Sequence, residues 1–347
     1  MVRFAWMAAA LATATWLPAP AADSSVEEIV ALVRTAIHNK ESDDKLARAL
    51  RKLTPAERLD DRTIEELESS GAGPKAIAEL VDLREASAQL PRPMYPPLFP
   101  SPPAPSPNEW NSVLQDAAVN AISYVRRLPD FICTQTVSRY ERFRNAEKWR
   151  MRDTLTVKLT YFEYHEKYDL VAVNNRPAHE AYRSTGGTVT EGEFGSTLLA
   201  VFNPTSKAAF RWSHWTRLRG HTAHVFAYSI DAAHSTYRLE FGQDGGPLAT
   251  TVPGAHGFVY VDRETGEILR LIRIADIDPD FAVKTAVLYV DYDYAEVAGR
   301  RHLVPWRSDT FSSTELVDTR NYVSFHDYRK FEGESTITFE TPGEEKR

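Results

Sequence analysis

Nine of the seventeen residues from Pro91 to Pro107 are proline. Each proline fixes φ and removes a backbone donor, so neither a helix nor a central strand can run through such a tract. The chain must therefore be assembled as separate pieces on its two sides, and the two flanks are written differently. Residues 23–90 contain no Phe, Trp or Tyr and space their aliphatic residues as helices do, whereas residues 109–347 are aromatic-rich and alternate apolar with polar positions. The expected layout is a signal peptide over 1–22, a small helical module over 23–90 and a Pro-rich linker over 91–108. An antiparallel β domain with an N-terminal helix then occupies 109–341, and a tail 342–347. In polyproline II geometry, at about 3.1 Å per residue, the tract spans roughly 50 Å as an upper limit. Tyr95, Leu98 and Phe99 are side chains by which part of it can dock.

Arg3, the apolar run from Phe4 to Leu17 and the small residues Ala19-Pro20-Ala21 have the form of a cleavable secretory signal. No later stretch reaches the roughly 18 apolar residues a spanning helix needs, so the mature chain is expected not to cross a membrane. Cys133 is the only cysteine. This excludes a lipid-bearing cysteine at the cleavage site and any intramolecular disulfide. The expected location is the periplasm or the exterior. Acidic residues exceed Lys and Arg by 48 to 41 over the whole chain, which argues against a broad nucleic-acid-binding face.

In the helical module, Ser25-Val26-Glu27-Glu28 has capping-box form, and Ile29, Leu32, Val33, Ala36 and Ile37 follow on one helix face. Leu46, Leu50 and Leu53 make a second stripe. Thr54-Pro55-Ala56-Glu57 predicts a helix restart with Thr as the cap. A third segment carries Ile64 and Leu67 and stops near Gly71, and Pro74 opens a last helix with Ile77, Leu80 and Val81. Gly71-Ala72-Gly73-Pro74-Lys75-Ala76 resembles the hairpin of helix-hairpin-helix modules, in which glycines let helix N-terminal amides approach a phosphate. The module is acidic, with 15 carboxylates against 10 basic side chains, so the expectation is a tight turn between packed helices.

After the tract, Glu109 to Leu128 reads as one helix, ended by Pro129. Then the period changes to two. Leu155, Val157, Leu159 and Tyr161 alternate with Thr154, Thr156, Lys158 and Thr160, which predicts a half-buried strand. Further strands are predicted at 167–173, 224–230, 237–241, 257–262, 268–274, 286–297, 302–311, 321–331 and 336–341. Asp262 to Gly266 and Ala298-Gly299 supply hairpin turns, so the sheet should be antiparallel. Between Ser184 and Pro204 a polar, glycine-containing stretch predicted to be flexible leads into Ser196 to Phe202, a short apolar helix. That helix suits two roles, a lid over the sheet's apolar face or a filler of the core.

The leading helix, the Tyr260 to Arg270 hairpin and the hairpin from Asp291-Tyr292-Asp293-Tyr294 through Gly299 to Leu303-Val304-Pro305 resemble the LolA/LolB/RseB-like superfamily of periplasmic lipoprotein carriers and sensors. Leu128 to Gln135 also resembles a segment of uncharacterised exported bacterial proteins. The superfamily resemblance covers about 109–340 and implies an α+β fold, an unclosed, curved antiparallel barrel plugged by helices, whose concave apolar face binds acyl chains. Here it is preceded by a small all-α module without counterpart in the carriers. The candidate groove is Leu155, Val157, Leu159 and Tyr161, and the candidate lid Leu198, Leu199, Val201 and Phe202.

Catalytic patterns fall short. His165-Glu166 and His179-Glu180 begin H-E-x-x-H, but Asp169 and Arg183 stand at the last position. On one strand, His221 and His224 would face opposite ways, so a shared metal would need a turn. Asp291 and Asp293 share a strand face with Tyr289 and read as the solvent side. No nucleophile elbow or P-loop is present, and Cys133, inside Phe131-Ile132-Cys133, reads as a buried small apolar residue. No catalytic residue, metal or cofactor is expected. The leading reading is a non-catalytic carrier of an acyl chain, lipid or lipoprotein. The alternative is an envelope interaction or sensor protein whose helical module contacts a protein partner, and the third a carboxylate-dependent hydrolase.

Overall fold

The computed structural model describes residues 23–94, 102–146, 148–242, 248–297 and 299–331. The predicted signal peptide, the middle of the proline tract with Tyr95, Leu98 and Phe99, the strand predicted at 336–341 and the tail lie outside the described residues. The chain divides into two compact units, one of residues up to 100 with 217–220, the other of the remainder.

The first unit holds α1 (Val26–His38), α2 (Asp43–Leu50), α3 (Asp61–Ser69) and α4 (Pro74–Ala86). The capping box forms as its spacing predicts: Glu28 N donates to Ser25 Oγ at 3.2 Å and Ser25 N to Glu28 Oε2 at 2.9 Å. The buried side chains Ile29, Val33, Leu50, Leu59, Leu67 and Leu80 make an aliphatic core. The helix predicted from Thr54 does not form. Ser24 N instead donates to Thr54 O at 2.7 Å, Ala56 N to Ser24 O at 2.8 Å, and Val26 N to Glu57 Oε1 at 2.8 Å. The stretch thus serves donors at the start of α1, and these tertiary bonds outweigh a local capping signal. Asp60, not Thr54, caps the next helix, accepting from Thr63 N at 2.8 Å.

At the glycine hairpin, Gly73 caps α4 with Pro74 in its first turn. The Asp43 carboxylate accepts from Lys75 N at 2.8 Å and from Ala76 N at 2.9 Å. A Cβ on Gly73 would lie 2.5 Å from the Asp43 carboxyl carbon, so any larger residue would have to push the carboxylate off these amides. The amides that offer phosphate a seat in a helix-hairpin-helix are filled here by the module's own carboxylate.

The second unit starts with α5 (Pro107–Arg127), whose cap Ser106 accepts from Glu109 N at 3.3 Å. Next come β1 (Phe131–Phe143), β2 (Arg150–Phe162), β3 (His165–Val173) and β4 (Arg176–Pro177). The short α6 (Ser196–Phe202) interrupts the strands, which resume as β5 (Ala209–Leu218) and β6 (His221–Ile230). β7 (Leu239–Phe241) and β8 (Ala249–Thr251) form a separate two-stranded sheet. β9 (Gly254–Asp262), β10 (Ile268–Asp276), β11 (Val283–Val297), β12 (Arg300–Thr314) and β13 (Val317–Lys330) complete the set. The main sheet has 11 strands in the order β4-β3-β2-β1-β13-β12-β11-β10-β9-β6-β5. It is antiparallel, and β4 and β5 are its two edges, so it does not close. The class is α+β: an open antiparallel sheet with helices packed on its inner face, as the sequence predicts.

The inner face carries Phe131, Cys133 and Val137 of β1, the β2 row, and Val290, Tyr292, Val323 and Phe325 from further round. Ala117, Ala121 and Tyr124 of α5 and Leu198, Val201 and Phe202 of α6 pack against them. The hairpin between β9 and β10 turns as its sequence requires. Asp262 Oδ1 accepts from Glu264 N at 2.7 Å and Thr265 N at 2.8 Å, and Gly266 takes a left-handed φ of 66°.

In β9, Gly257 lies so close to β10 that a Cβ there would stand 2.0 Å from the Ile272 carbonyl oxygen. Backbone on both sides leaves no side chain able to give way. Gly257→Ala is therefore expected to lower unfolding stability by about 3 kcal/mol in urea titration. A loss under about 0.5 kcal/mol would show that the strands can separate there at little cost.

Candidate functional site

The β2 alternation places Leu155, Val157, Leu159 and Tyr161 on the inner face, where all four are buried. Leu198, Val201 and Phe202 of α6 are buried in the same core, and Leu199 is half-buried. The groove and lid positions thus form one filled interior, with α6 as its plug.

The segment before α6, predicted to be flexible, is tied to polar side chains on the inner face. Arg139 of β1 is buried there; its guanidinium pairs with Asp153 at 2.6 and 2.7 Å and also donates to Thr185 Oγ1 at 3.1 Å and to the Gly186 carbonyl. Asn321 Nδ2 donates to Thr188 O at 2.8 Å. Thr188 Oγ1 meets Thr319 Oγ1 at 2.6 Å, and the Tyr292 hydroxyl donates to Glu193 O at 3.1 Å.

Where this segment reaches α6, a cleft of about 410 Å³ opens beside the β2–β3 turn. It is lined by Tyr161, Tyr164, His165, Glu166, Tyr168, Glu191, Gly192, Gly195, Ser196 and Leu199. Two of the predicted residues, Tyr161 and Leu199, meet here; the other six lie in the filled core. Tyr161 stacks on Phe131 with ring centroids 5.2 Å apart, and Tyr168 on Tyr182 at 5.7 Å, which fixes both rings.

Two carboxylates converge on one phenol. The Tyr168 hydroxyl donates to Glu166 Oε2, lies 3.4 Å from Glu193 Oε2, and accepts from Gly192 N at 3.0 Å. Glu193 is fully buried, with Thr190, its own backbone amide and the charge of Arg273 as its favourable neighbours besides Tyr168. Desolvation pushes the Glu166 carboxyl up to about 7, with the charge of Glu193 adding to it. Burial likewise raises the Glu193 carboxyl. No Lys or Arg is among the lining residues; Arg183 pairs with Glu191 at 2.9 Å through Nε.

The β2–β3 turn is unusual for its residue types. Glu163 and Tyr164 take φ of 48° and 67°, left-handed values that favour Gly and Asn. The next turn, between β3 and β4, places Asn174 and Asn175 at φ of 51° and 60°. Tyr164 combines this conformation with 61% exposure at the cleft. Glu166, Tyr168 and Tyr164 escaped sequence reasoning; the only signal near them was the incomplete His165-Glu166 pair.

Elsewhere, Asp291 does not face solvent. It is buried, pairing with Arg270 at 2.5 Å and with Arg307 at 2.8 Å. A register shift at Asp291/Tyr292 separates its surroundings from those of Asp293, which is exposed. His221 bonds Asp262 at 2.6 Å, while His224 is buried against Trp215 and its pKa falls to about 4 through desolvation. Burial pushes the Cys133 thiol up, away from nucleophilic character. Among the described residues, no group of three or more His, Cys, Asp or Glu side chains could hold a metal ion.

No protein-family model matches the chain, and no curated protein matches its sequence. Among solved structures, it is similar to a LolA superfamily protein from Nitrosomonas europaea at 8% identity and a TM-score of 0.29, over 65% of this chain and 94% of that one. An outer membrane lipoprotein-sorting protein domain from Vibrio parahaemolyticus aligns at 12% identity and 0.30, over 63% and 90%. A DUF1329 family protein from Desulfovibrio piger aligns at 10% and 0.32, over 63% and 92%. At these scores the likenesses carry no argument about chemistry, and no residue role is transferred from them.

The raised Glu166 carboxyl has a stability consequence. A carboxyl whose folded pKa lies above the unfolded value near 4.5 favours folding below that value, and the advantage is lost as pH rises through about 7. Glu166→Gln is therefore expected to flatten the fall in stability between pH 4.5 and 7, read from urea midpoints at stepped pH, leaving the part due to Glu193. An unchanged slope in the variant would show that Glu166 ionises in the folded protein without penalty.

Proposed function

We propose that the protein is an exported, non-catalytic binding protein that holds the acyl chain of a lipid or lipoprotein against the inner face of its open sheet. One observation carries the reading: the apolar face is plugged by a seven-residue helix, and a cleft opens beside that helix onto Tyr161 and Leu199. A helix of about two turns has no stability of its own in water, so α6 is held by its surroundings: its packed apolar side chains, with flanking hydrogen bonds from Ser206 Oγ to Val201 O at 2.9 Å and from Thr197 N to Gly192 O at 3.1 Å. Exchanging its apolar side chains for an alkyl chain replaces like with like. Each methylene then taken from water contributes about 0.8 kcal/mol. The cleft volume falls within the range of small-molecule sites. No helix of the described residues is long and apolar enough to cross a membrane. A periplasmic or secreted location rests on the signal-like N-terminus.

A second reading, an envelope interaction or sensor protein, is favoured by the filled inner face. On that reading the helical module supplies the contact, and deletion of residues 23–90 abolishes capture of a protein partner.

Native purification followed by extraction and lipid mass spectrometry is expected to find a co-purified amphiphile, and the stripped protein to take up a fluorescent fatty acid. Leu199→Asp should weaken uptake at least ten-fold, while Val171→Asp, at an exposed position, should not. With no amphiphile recovered and no uptake by the stripped protein, the carrier reading fails and the interaction reading takes its place.

A further inference from the structure

The cleft beside α6 is built for a particular headgroup, and we propose that it recognises an alkylammonium group. This deepens the carrier reading and rests on it for the path of the tail, which would run past Leu199. The walls hold three tyrosines, Tyr161, Tyr164 and Tyr168, and two carboxylates, Glu166 and Glu191, with no Lys or Arg among the lining residues. Aromatic faces attract a cation through the ring quadrupole, and they do so most when water is excluded. Carboxylates beside them add charge attraction. The third carboxylate, Glu193, lies 3.4 Å from the Tyr168 hydroxyl, fully buried, with Thr190 and the charge of Arg273 as its other neighbours.

Part of this grouping is structural, since the backbone amides of Gly192 and Phe194 hydrogen-bond Glu166 and so tie β3 to the segment before α6. Burial of Glu166 and Glu193 around one phenol nevertheless outweighs these amides and the charge of Arg273, so both carboxyls stay raised, and a cation in the cleft would favour the ionised form of Glu166. His165 is the one basic side chain on the wall, and its Nδ1 is engaged by Glu163 O at 2.7 Å. Arg183 pairs with Glu191, whereas Glu166, held by the Tyr168 hydroxyl and the amides of Gly192 and Phe194, meets no cationic side chain among the lining residues other than His165. The turn adds an independent sign. Glu163-Tyr164 holds left-handed backbone where Asn-Gly would sit without strain, and what it gains is an aromatic side chain at the cleft mouth. Strain of this kind concentrates at sites of function.

The experiment is isothermal titration of the stripped full chain with lysophosphatidylcholine, lysophosphatidylglycerol and choline. The expected result is at least ten-fold tighter binding of lysophosphatidylcholine than of lysophosphatidylglycerol. Glu166→Gln should reduce that preference at least three-fold. So should the double replacement Glu163→Asn with Tyr164→Gly, a variant expected to melt higher than the parent and thus free of folding failure. Choline binding with no gain from a tail would support the ammonium site, identify a small free alkylammonium ion as its source, and sink the carrier reading. Equal binding of the two lysolipids would overturn the headgroup inference and leave the carrier reading standing. No binding by any of the three would overturn both.

Discussion

Arg139 sits on the inner face of β1, in the same row as Phe131, Cys133 and Val137, and is buried with them. A guanidinium in that position is tolerable only if its charge and donors are all answered. Asp153 answers the charge, and the backbone and hydroxyl of Thr185 with the carbonyl of Gly186 answer the remaining donors. Breaking such a pair by removing one partner costs several kcal/mol, because it strands the other charge. The path of the chain toward α6 follows from this one requirement. The segment must cross the inner face where Arg139 needs it, and Asn321 and Tyr292 continue the track to Glu193.

The interior consequently has two characters. One part is aliphatic and aromatic, closed by α5 and α6. The other is polar, closed by backbone that the sheet itself hydrogen-bonds. The cleft lies where the crossing segment meets α6 and the β2–β3 turn. A polar segment fixed by hydrogen bonds at several points and a seven-residue helix held mainly by side-chain packing differ in how they yield, and on the proposed carrier reading α6 is the part that gives way to another apolar body.

Much of this was legible in advance. Strict alternation from Thr154 to Tyr161 and the Asp262 to Gly266 turn specified strand and hairpin, because period and turn chemistry there are local properties. β1 was missed although it is an interior strand, paired on both sides with β2 and β13. Its inward row includes Gln135 and Arg139, polar residues whose burial depends on partners distant in sequence. β5 was missed because His214 and Thr216 interrupt the row of Phe210, Trp212 and Leu218, and Trp215 stands on the opposite face, which blurs the alternation. The helix read from Thr54-Pro55 failed for the converse reason: a sound local signal lost to hydrogen bonds with Ser24. At the site, Tyr161 and Leu199 were legible as apolar periodic residues. Glu166 and Tyr168 were not, since nothing in a one-dimensional pattern announces that Glu193, 25 residues beyond Tyr168, will fold back onto the same hydroxyl.

The seat at the start of α4 has a competitive consequence. Asp43 occupies the amides of Lys75 and Ala76 from within the same small module, and a tethered group competes at millimolar or higher effective concentration. A free anion arriving at that helix must first displace a rival that never diffuses away. The hairpin has thereby exchanged the capacity to recognise phosphate for an internal clasp between α2 and α4, and the same glycine serves both uses.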